Sequence, residues 1–275
     1  MKIPAPAKVN LHLRILGPRP DGFHDLETLM LPLSLGDEIE VTRGSEGGVV
    51  VTCDDSAVPL GGDNLVTRAA MEFFRHTGLS SPLRIHITKR IPMGAGLGGG
   101  SSDAATTLRV MDDLFATRLG EETLRELAGT LGSDVPFFVA PAPAWCRGRG
   151  EIIEPLAVPE SLELLLIKPP FGVATPWAYQ TWAAFCKEPA DEEQDLGWVT
   201  VRNSLERPVF DKHLVLPVMR EWLLGQAEVR AAGMSGSGST MFAVLRSDRD
   251  GIALEARALE YFGSTFWTAL CSTGR

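Results

Sequence analysis

The stretch Pro92-Met-Gly-Ala-Gly-Leu-Gly-Gly-Gly-Ser-Ser-Asp-Ala-Ala105 constrains the fold more than any other part of the chain. Glycines at 94, 96, 98, 99 and 100 are followed by Ser101, Ser102 and an apolar stripe, Ala104, Leu108, Met111 and Phe115, at helical spacing. Before the run, Leu83, Ile85 and Ile87 alternate with Arg84, His86 and Thr88, the pattern of a half-buried strand. A strand, a glycine loop and an amphipathic helix therefore follow one another directly, where a linker would carry polar sequence on both sides. Glycine admits positive φ and close backbone approach, and a helix N-terminus aims N–H groups and a positive dipole end outward. That combination suits an anion, above all phosphate. Gly94, Gly96 and Gly99 also spell G-x-G-x-x-G, but the next acidic residues, Glu121 and Glu122, sit in helix-like sequence rather than at the end of a strand, so the dinucleotide fingerprint is weak. No Gly-Lys-Ser/Thr closes the loop as a Walker motif would.

At 275 residues the chain is long enough for about two domains. A formal net charge of −9 and the absence of a basic run with interleaved aromatics argue against nucleic acid as partner. Cys53, Cys146, Cys186 and Cys271 are far apart, with no metal-ligand spacing, as expected of scattered thiols in a reducing compartment. Met-Lys-Ile-Pro-Ala-Pro has no apolar signal region, and apolar runs such as Leu164 to Ile167 are far too short to span a bilayer. A cytoplasmic protein without a membrane partner is expected.

Along the chain, residues 6 to 16 alternate, with Val9, Leu11, Leu13 and Ile15 on one face and Lys8, Asn10, His12 and Arg14 on the other. His12 and Arg14 suit the wet side of a sheet, while Lys8 and Asn10, at the strand's start, are candidates for function. Further strands are expected at Thr28 to Leu33, Asp37 to Val41 and Val49 to Thr52, then a helix from Asn64 to Thr77 with Asp63 or Asn64 as its cap. Helix Glu121 to Leu131 ends at Gly132, and Asp134 before Val135-Pro136 reads by itself as the cap of another short element. Pro155 to Pro159 marks a domain boundary. Aromatics Trp177, Tyr179 and Trp182 suit a core or a stacked base, and the acidic run Glu188 to Asp195 suits a solvated connector. Val209 to Leu224 reads as helix with a break at Pro217, which can sit at the first turn of a second helix, and Asp250 to Phe262 as a last helix with Ile252, Ala256 and Leu259 inward. Between two short strands lies a second cluster, Gly233-Met-Ser-Gly-Ser-Gly-Ser-Thr240, which can serve as a tight loop or as another set of N–H donors closing over phosphates.

Three stretches in this order, Pro6-Ala-Lys-Val-Asn-Leu11, the glycine loop and Gly233 to Thr240, resemble the GHMP kinase superfamily, which phosphorylates small-molecule hydroxyls from ATP. Arg19-Pro-Asp-Gly-Phe-His-Asp-Leu26, Gly132-Ser-Asp-Val-Pro-Phe-Phe138 and Asn203-Ser-Leu-Glu206 extend the resemblance end to end. They are similar to the branch whose acceptor is a cytidine diphosphate ester of methylerythritol, in non-mevalonate isoprenoid synthesis. The resemblance implies an α+β fold of two domains with a cleft between them. The first, 1–157, would be an α/β domain of ribosomal S5-like type with a left-handed βαβ crossover; the second, 158–275, would be ferredoxin-like.

It also implies roles. Lys8 and Asp134 become the catalytic pair, which displaces the cap-only reading of Asp134. Pro92, Met93, Gly94, Ala95, Gly96, Leu97, Gly98, Gly99, Gly100, Ser101 and Ser102 become the ATP loop. Asn10, Phe23, His24, Thr175 and Tyr179 become acceptor residues, with Phe23 and Tyr179 stacking the cytosine, His24 reading its edge, and Asn10 and Thr175 touching the erythritol and diphosphate. ATP and Mg2+ are the implied cofactors, the metal ligands unassigned, and monomer and weak homodimer both stay open. Three positions depart from the family pattern: Phe23 stands for Tyr, Ser133 for Ala and Ser204 for Asp.

Overall fold

The computed structural model describes residues 2–185 and 193–274. Most of the acidic run from Glu188 to Asp195 lies outside them. The chain is α+β and divides into two compact units, each assembled from separate stretches of sequence: Met1–Ala7, Leu35–Met93 and Gly98–Pro141 form one; Lys8–Ser34, Gly94–Leu97 and Ala142–Arg275 form the other. Two long strands, β1 (Lys2–Pro18) and β2 (His24–Arg43), contribute residues to both. The break expected between Leu33 and Asp37 is absent, because Gly36 continues β2. A Cβ there would stand 2.7 Å from the carbonyl oxygen of Ala5, so glycine is what lets the two backbones approach.

In the first unit, β3 (Val49–Cys53) runs parallel to β4 (Leu83–Thr88), the two joined through α1 (Leu65–Thr77) as a βαβ unit. β4 then pairs antiparallel with the end of β2, Ile87 opposite Ile39 and Ile85 opposite Val41. All four side chains are buried, so the alternation seen in sequence is a core face. α1 starts at Asn64, whose Oδ1 accepts the Val66 N–H at 2.8 Å, and stops at Gly78 in the left-handed region, φ 69°. α2 (Gly99–Phe115) and α3 (Gly120–Leu131) complete the unit. Phe73 of α1 is fully buried and its ring lies 6.1 Å from Phe115 of α2. Burying such a side chain is worth roughly 2–3 kcal/mol.

The second unit carries β5 (Ala144–Gly148) and β6 (Ile152–Pro155) alongside β2, then β7 (Glu163–Lys168), α4 (Thr175–Phe185), β8 (Gln194–Asp195), β9 (Thr200–Asn203), α5 (Glu206–Lys212), α6 (Val215–Leu224), β10 (Val229–Met234), β11 (Met241–Leu245), α7 (Gly251–Phe262) and β12 (Trp267–Ser272). β9 pairs parallel with β1, His12 opposite Arg202. β10, β11, β7 and β12 form an antiparallel sheet in that order, the ferredoxin-like arrangement. Leu165 and Ile167 of its central strand pack with Leu216, Met219, Leu223, Leu254 and Ala258 of α6 and α7. The inward face of α7 is thus Gly251, Leu254 and Ala258; Ile252, expected inside, is 74% exposed. Pro217 sits in the first turn of a second helix, α6, as expected, and the interruption itself falls just before it, at His213 and Leu214.

Candidate active site

Lys8 and Asn10 lie on the polar face of β1, yet both are buried, at 3% and 2% exposure. Burying an ammonium group costs several kcal/mol unless its protons find acceptors. Lys8 Nζ donates to Asn10 Oδ1 and, at 2.8 Å, to the carbonyl oxygen of Gly96. Asn10 donates through Nδ2 to Thr28 Oγ1 at 2.8 Å, and the Thr28 hydroxyl donates its hydrogen bond to the His12 carbonyl oxygen at 2.6 Å, which fixes the amide's orientation. His12 is half-buried against Trp145, and burial holds its imidazole below its ordinary pKa. Arg14 is exposed, as its place on a wet face requires.

The glycine loop meets this strand through its carbonyls. Leu97 O accepts the backbone N–H of Lys8 at 3.0 Å, Gly96 O accepts Lys8 Nζ and, at 3.0 Å, Ser235 Oγ, and Ala95 O accepts the Thr240 N–H at 3.3 Å. Three successive carbonyls therefore face protein. Because a trans peptide points its C=O and N–H in opposite directions, the N–H groups of Gly96, Leu97 and Gly98 face away from those partners. Successive N–H groups presented together form an anion nest. Gly94, Gly96 and Gly98 have φ of 59°, 75° and 72°, the conformations that make such a loop possible.

The loop also runs straight into α2. The helix begins at Gly99, inside the glycine run and earlier than the serines, with Gly98 at its cap position. The Ser102 N–H donates to Gly98 O at 2.9 Å while its Oγ, fully buried, has no hydrogen-bond partner among the described residues. Met93 is exposed, and Pro92 and Ser101 are half-buried.

The second glycine-serine loop joins β10 to β11 and packs on the same place. A Cβ at Gly236 would stand 3.1 Å from Gly96 O, 3.1 Å from Lys8 Nζ and 3.3 Å from Asn10 Oδ1. Ser235 Oγ accepts the Asn10 N–H at 3.3 Å, and Ser237 Oγ shares a 2.7 Å hydrogen bond with Thr175 Oγ1. The Asn203-Ser-Leu-Glu206 motif holds this loop from outside: Asn203 Nδ2 donates to Met234 O and Gly236 O, each at 2.7 Å, and Glu206 Oε1 accepts the Met234 N–H at 2.7 Å. The motif is visible in sequence; its task is not, since it acts on backbone some thirty residues away.

The acceptor-side aromatics gather only in part. His24 lies 5.6 Å from Tyr179 and 5.7 Å, edge to face, from Trp182. Phe23, 45% exposed, is covered by the Arg149 guanidinium 5.0 Å over its ring. Of the aromatics expected to pack a core or stack a base, Trp182 joins this group, and Arg149 is an addition that the sequence pattern does not indicate. In the first unit, Asp134 is half-buried in the turn after α3; the cap position of the following 3-10 turn, Pro136–Val139, falls on Val135.

The families GHMP kinases N terminal domain and GHMP kinases C terminal match residues 64–141 and 183–263. A 4-diphosphocytidyl-2-C-methyl-D-erythritol kinase from Methylacidiphilum infernorum is 44% identical over 97% of this chain and 94% of its own length. The chain belongs to the GHMP kinases. Another GHMP kinase with the same name, from Geobacter metallireducens, is 39% identical over 91% of both chains. The crystal structure of a 4-(cytidine 5'-diphospho)-2C-methyl-D-erythritol kinase superposes with a TM-score of 0.81 at 36% identity, covering both chains completely. The mevalonate kinase of Methanococcus jannaschii, at 12% identity and TM-score 0.70 over 100% of this chain and 98% of its own, shares the GHMP fold.

Proposed function

We propose that this GHMP kinase transfers the γ-phosphoryl group of ATP to the 2-hydroxyl of 4-diphosphocytidyl-2-C-methyl-D-erythritol, giving the 2-phosphate and ADP, in the cytoplasmic synthesis of isoprenoid precursors. The observation that carries the reading is the loop whose carbonyls at 95, 96 and 97 bond protein, leaving a run of N–H groups for phosphate, with the Lys8 ammonium on the same carbonyl. The end-to-end identity with kinases of that name supplies the acceptor.

In this reading Pro92 to Ser102 cradle the nucleotide phosphates, and the buried, unpartnered hydroxyl of Ser102 fits a polar ligand at the start of α2. Mg2+, its protein ligands unassigned, would when bound supply positive charge against the nucleotide phosphates that this loop holds. The acceptor oxygen bonds to the γ-phosphorus as the bond to the β-phosphate oxygen breaks, and ADP leaves. Asp134 takes the hydroxyl proton, and Lys8 stabilises the negative charge that grows on that oxygen. Asn10 and Thr175 bind the erythritol and diphosphate; His24, Tyr179 and Phe23 hold the cytosine. No described helix is long and apolar enough to cross a membrane.

The test is ADP release from Mg-ATP with four acceptors: the cytidylated methylerythritol, the free tetrol phosphate, homoserine and mevalonate, with Asp134→Asn in parallel. Turnover with the first alone, and a loss on the order of a hundredfold or more in the variant, is expected. Turnover with homoserine or mevalonate instead would reject the acceptor, and an active Asp134→Asn would reject the base.

A further inference from the structure

We propose that Asp37, Lys89 and Asp103 form a buried clamp that joins the two stems of the glycine loop and thereby sets its affinity for the nucleotide. The inference rests on the assignment of that loop to ATP. Asp37 is 1% exposed and serves three consecutive residues. Its Oδ1 accepts the backbone N–H of Arg90 at 2.6 Å and of Ile91 at 2.8 Å, and its Oδ2 accepts from Lys89 Nζ. These are the last residues before the loop. Lys89 Nζ donates at 2.9 Å to Asp103 Oδ2, in the second turn of α2, on the loop's far side. Asp103 is itself 3% exposed. The stems also touch directly, because a Cβ at Gly99 would stand 3.0 Å from Ile91 Cγ2 and 3.4 Å from Asp37 Oδ2.

The loop needs such a clamp on physical grounds. Glycine loses more backbone freedom on ordering than any other residue, so a glycine-rich loop on loose ends pays that entropy when it closes on a ligand. Fixing both stems before binding moves the cost into folding. Two carboxyl groups around one ammonium in a buried site are more than packing requires, since an apolar trio would fill it at lower desolvation cost. What the polar groups add is direction: Asp37 holds the Arg90 and Ile91 N–H groups and the Lys89 ammonium of the first stem, and that ammonium donates in turn to Asp103 Oδ2 on the second. None of the three side chains need touch the ligand, so they are positioning residues.

Lys89→Met alone strands two carboxylates without their cation, so it is paired with Lys89→Met/Asp103→Leu, which removes the link with a single carboxylate left, still accepting two backbone N–H groups. Lys89→Arg and Asp103→Asn keep a donor and an acceptor in place. Binding of a non-hydrolysable ATP analogue by calorimetry is measured alongside kinetics, with urea unfolding to verify that each variant is folded. The expected result is an analogue Kd and ATP KM raised about tenfold in the double variant, acceptor KM and kcat within about twofold of wild type, and rescue to within about threefold in Lys89→Arg and Asp103→Asn. Analogue binding unchanged in a folded double variant, or acceptor KM rising in step with ATP KM, overturns the clamp alone. Failure of the wild type to bind the analogue overturns the kinase reading and the clamp with it.

Discussion

Replacing Gly96 by Ala tests whether the loop is held by its backbone. The added Cβ would stand 2.1 Å from the carbonyl oxygen of Ser235, 3.0 Å from Gly238 N and 3.1 Å from Gly238 O. An ordinary C···O contact is about 3.3 Å, so one of the two loops must retreat by about 1 Å. No flexible side chain can absorb that, because all three of these neighbours are main-chain atoms. Gly96 also has φ 75°, where a residue with a Cβ pays about 1–2 kcal/mol. Retreat stretches the bonds that Gly96 O accepts from Lys8 Nζ and Ser235 Oγ, each worth about 1 kcal/mol. Together the cost is about 3–4 kcal/mol. If the loop moves instead of the whole protein unfolding, Lys8 loses its anchor, and a displacement of that size costs about a hundredfold in rate. Urea unfolding read by tryptophan fluorescence and kcat/KM from ADP release measure the two effects. Gly62→Ala, which meets nothing within 4 Å, is the control and should stay within about 0.5 kcal/mol of wild type. Gly96→Ala with stability within 1 kcal/mol and activity within threefold, each taken as about those bounds, would refute the argument.

Asn203→Ala removes donors to two carbonyls and the acceptor for the Leu205 N–H, and should destabilise by about 2–4 kcal/mol by urea unfolding; less than about 1 would mean the second loop stands without it. Asp103 gives a pH signature. Burial, reinforced by Asp37 and opposed by Lys89, lifts its carboxyl to about 7 from the ordinary 3.8. Between those values the native state holds a proton the unfolded chain has released, so its contribution to stability is complete below about pH 4 and is lost as pH rises toward 7, by at most about 4 kcal/mol. Asp103→Asn should flatten that part of the stability profile, and an unchanged slope would assign it to other groups. Tyr179→Ala should raise the acceptor KM on the order of tenfold, the worth of one stacked base, and leave the ATP KM alone; parallel changes in both would remove Tyr179 from the cytosine site.

Local patterns carried much of this structure. The Asn64 cap, the alternation of β4 and the helical stripe after the glycine run each have a local physical cause, and each is where the sequence places it. α7 shows where such reasoning stops. Its apolar residues lie at 252, 253, 254, 256, 258, 259, 261 and 262, so more than one face fits the helical period, and only packing under β7 and β12 selects Leu254 and Ala258. The expected gap between Leu33 and Asp37 is filled by strand because what Gly36 accommodates, the Ala5 carbonyl, lies thirty-one residues away in sequence. The site divides in the same way. Lys8 and Asn10 stand out on a short polar face, and the glycine loop announces itself. Lys89 with Asp37 and Asp103, Asn203 with Gly236, and Arg149 over Phe23 are pairings between distant segments that no spacing rule contains.

The three carbonyls of Ala95, Gly96 and Leu97 make this part of the loop a ruler. Each is matched to a donor fixed elsewhere, two of them on Lys8 itself, so the chain is gauged by position along its backbone and hardly by its side chains. In evolutionary terms, inserting or deleting one residue between 94 and 97 would put every carbonyl out of step with its donor at once, whereas small apolar exchanges at 95 would leave the match intact. Descendants of this sequence are free to drift at 95 and are held to the loop's length and to its glycines at 94, 96 and 98.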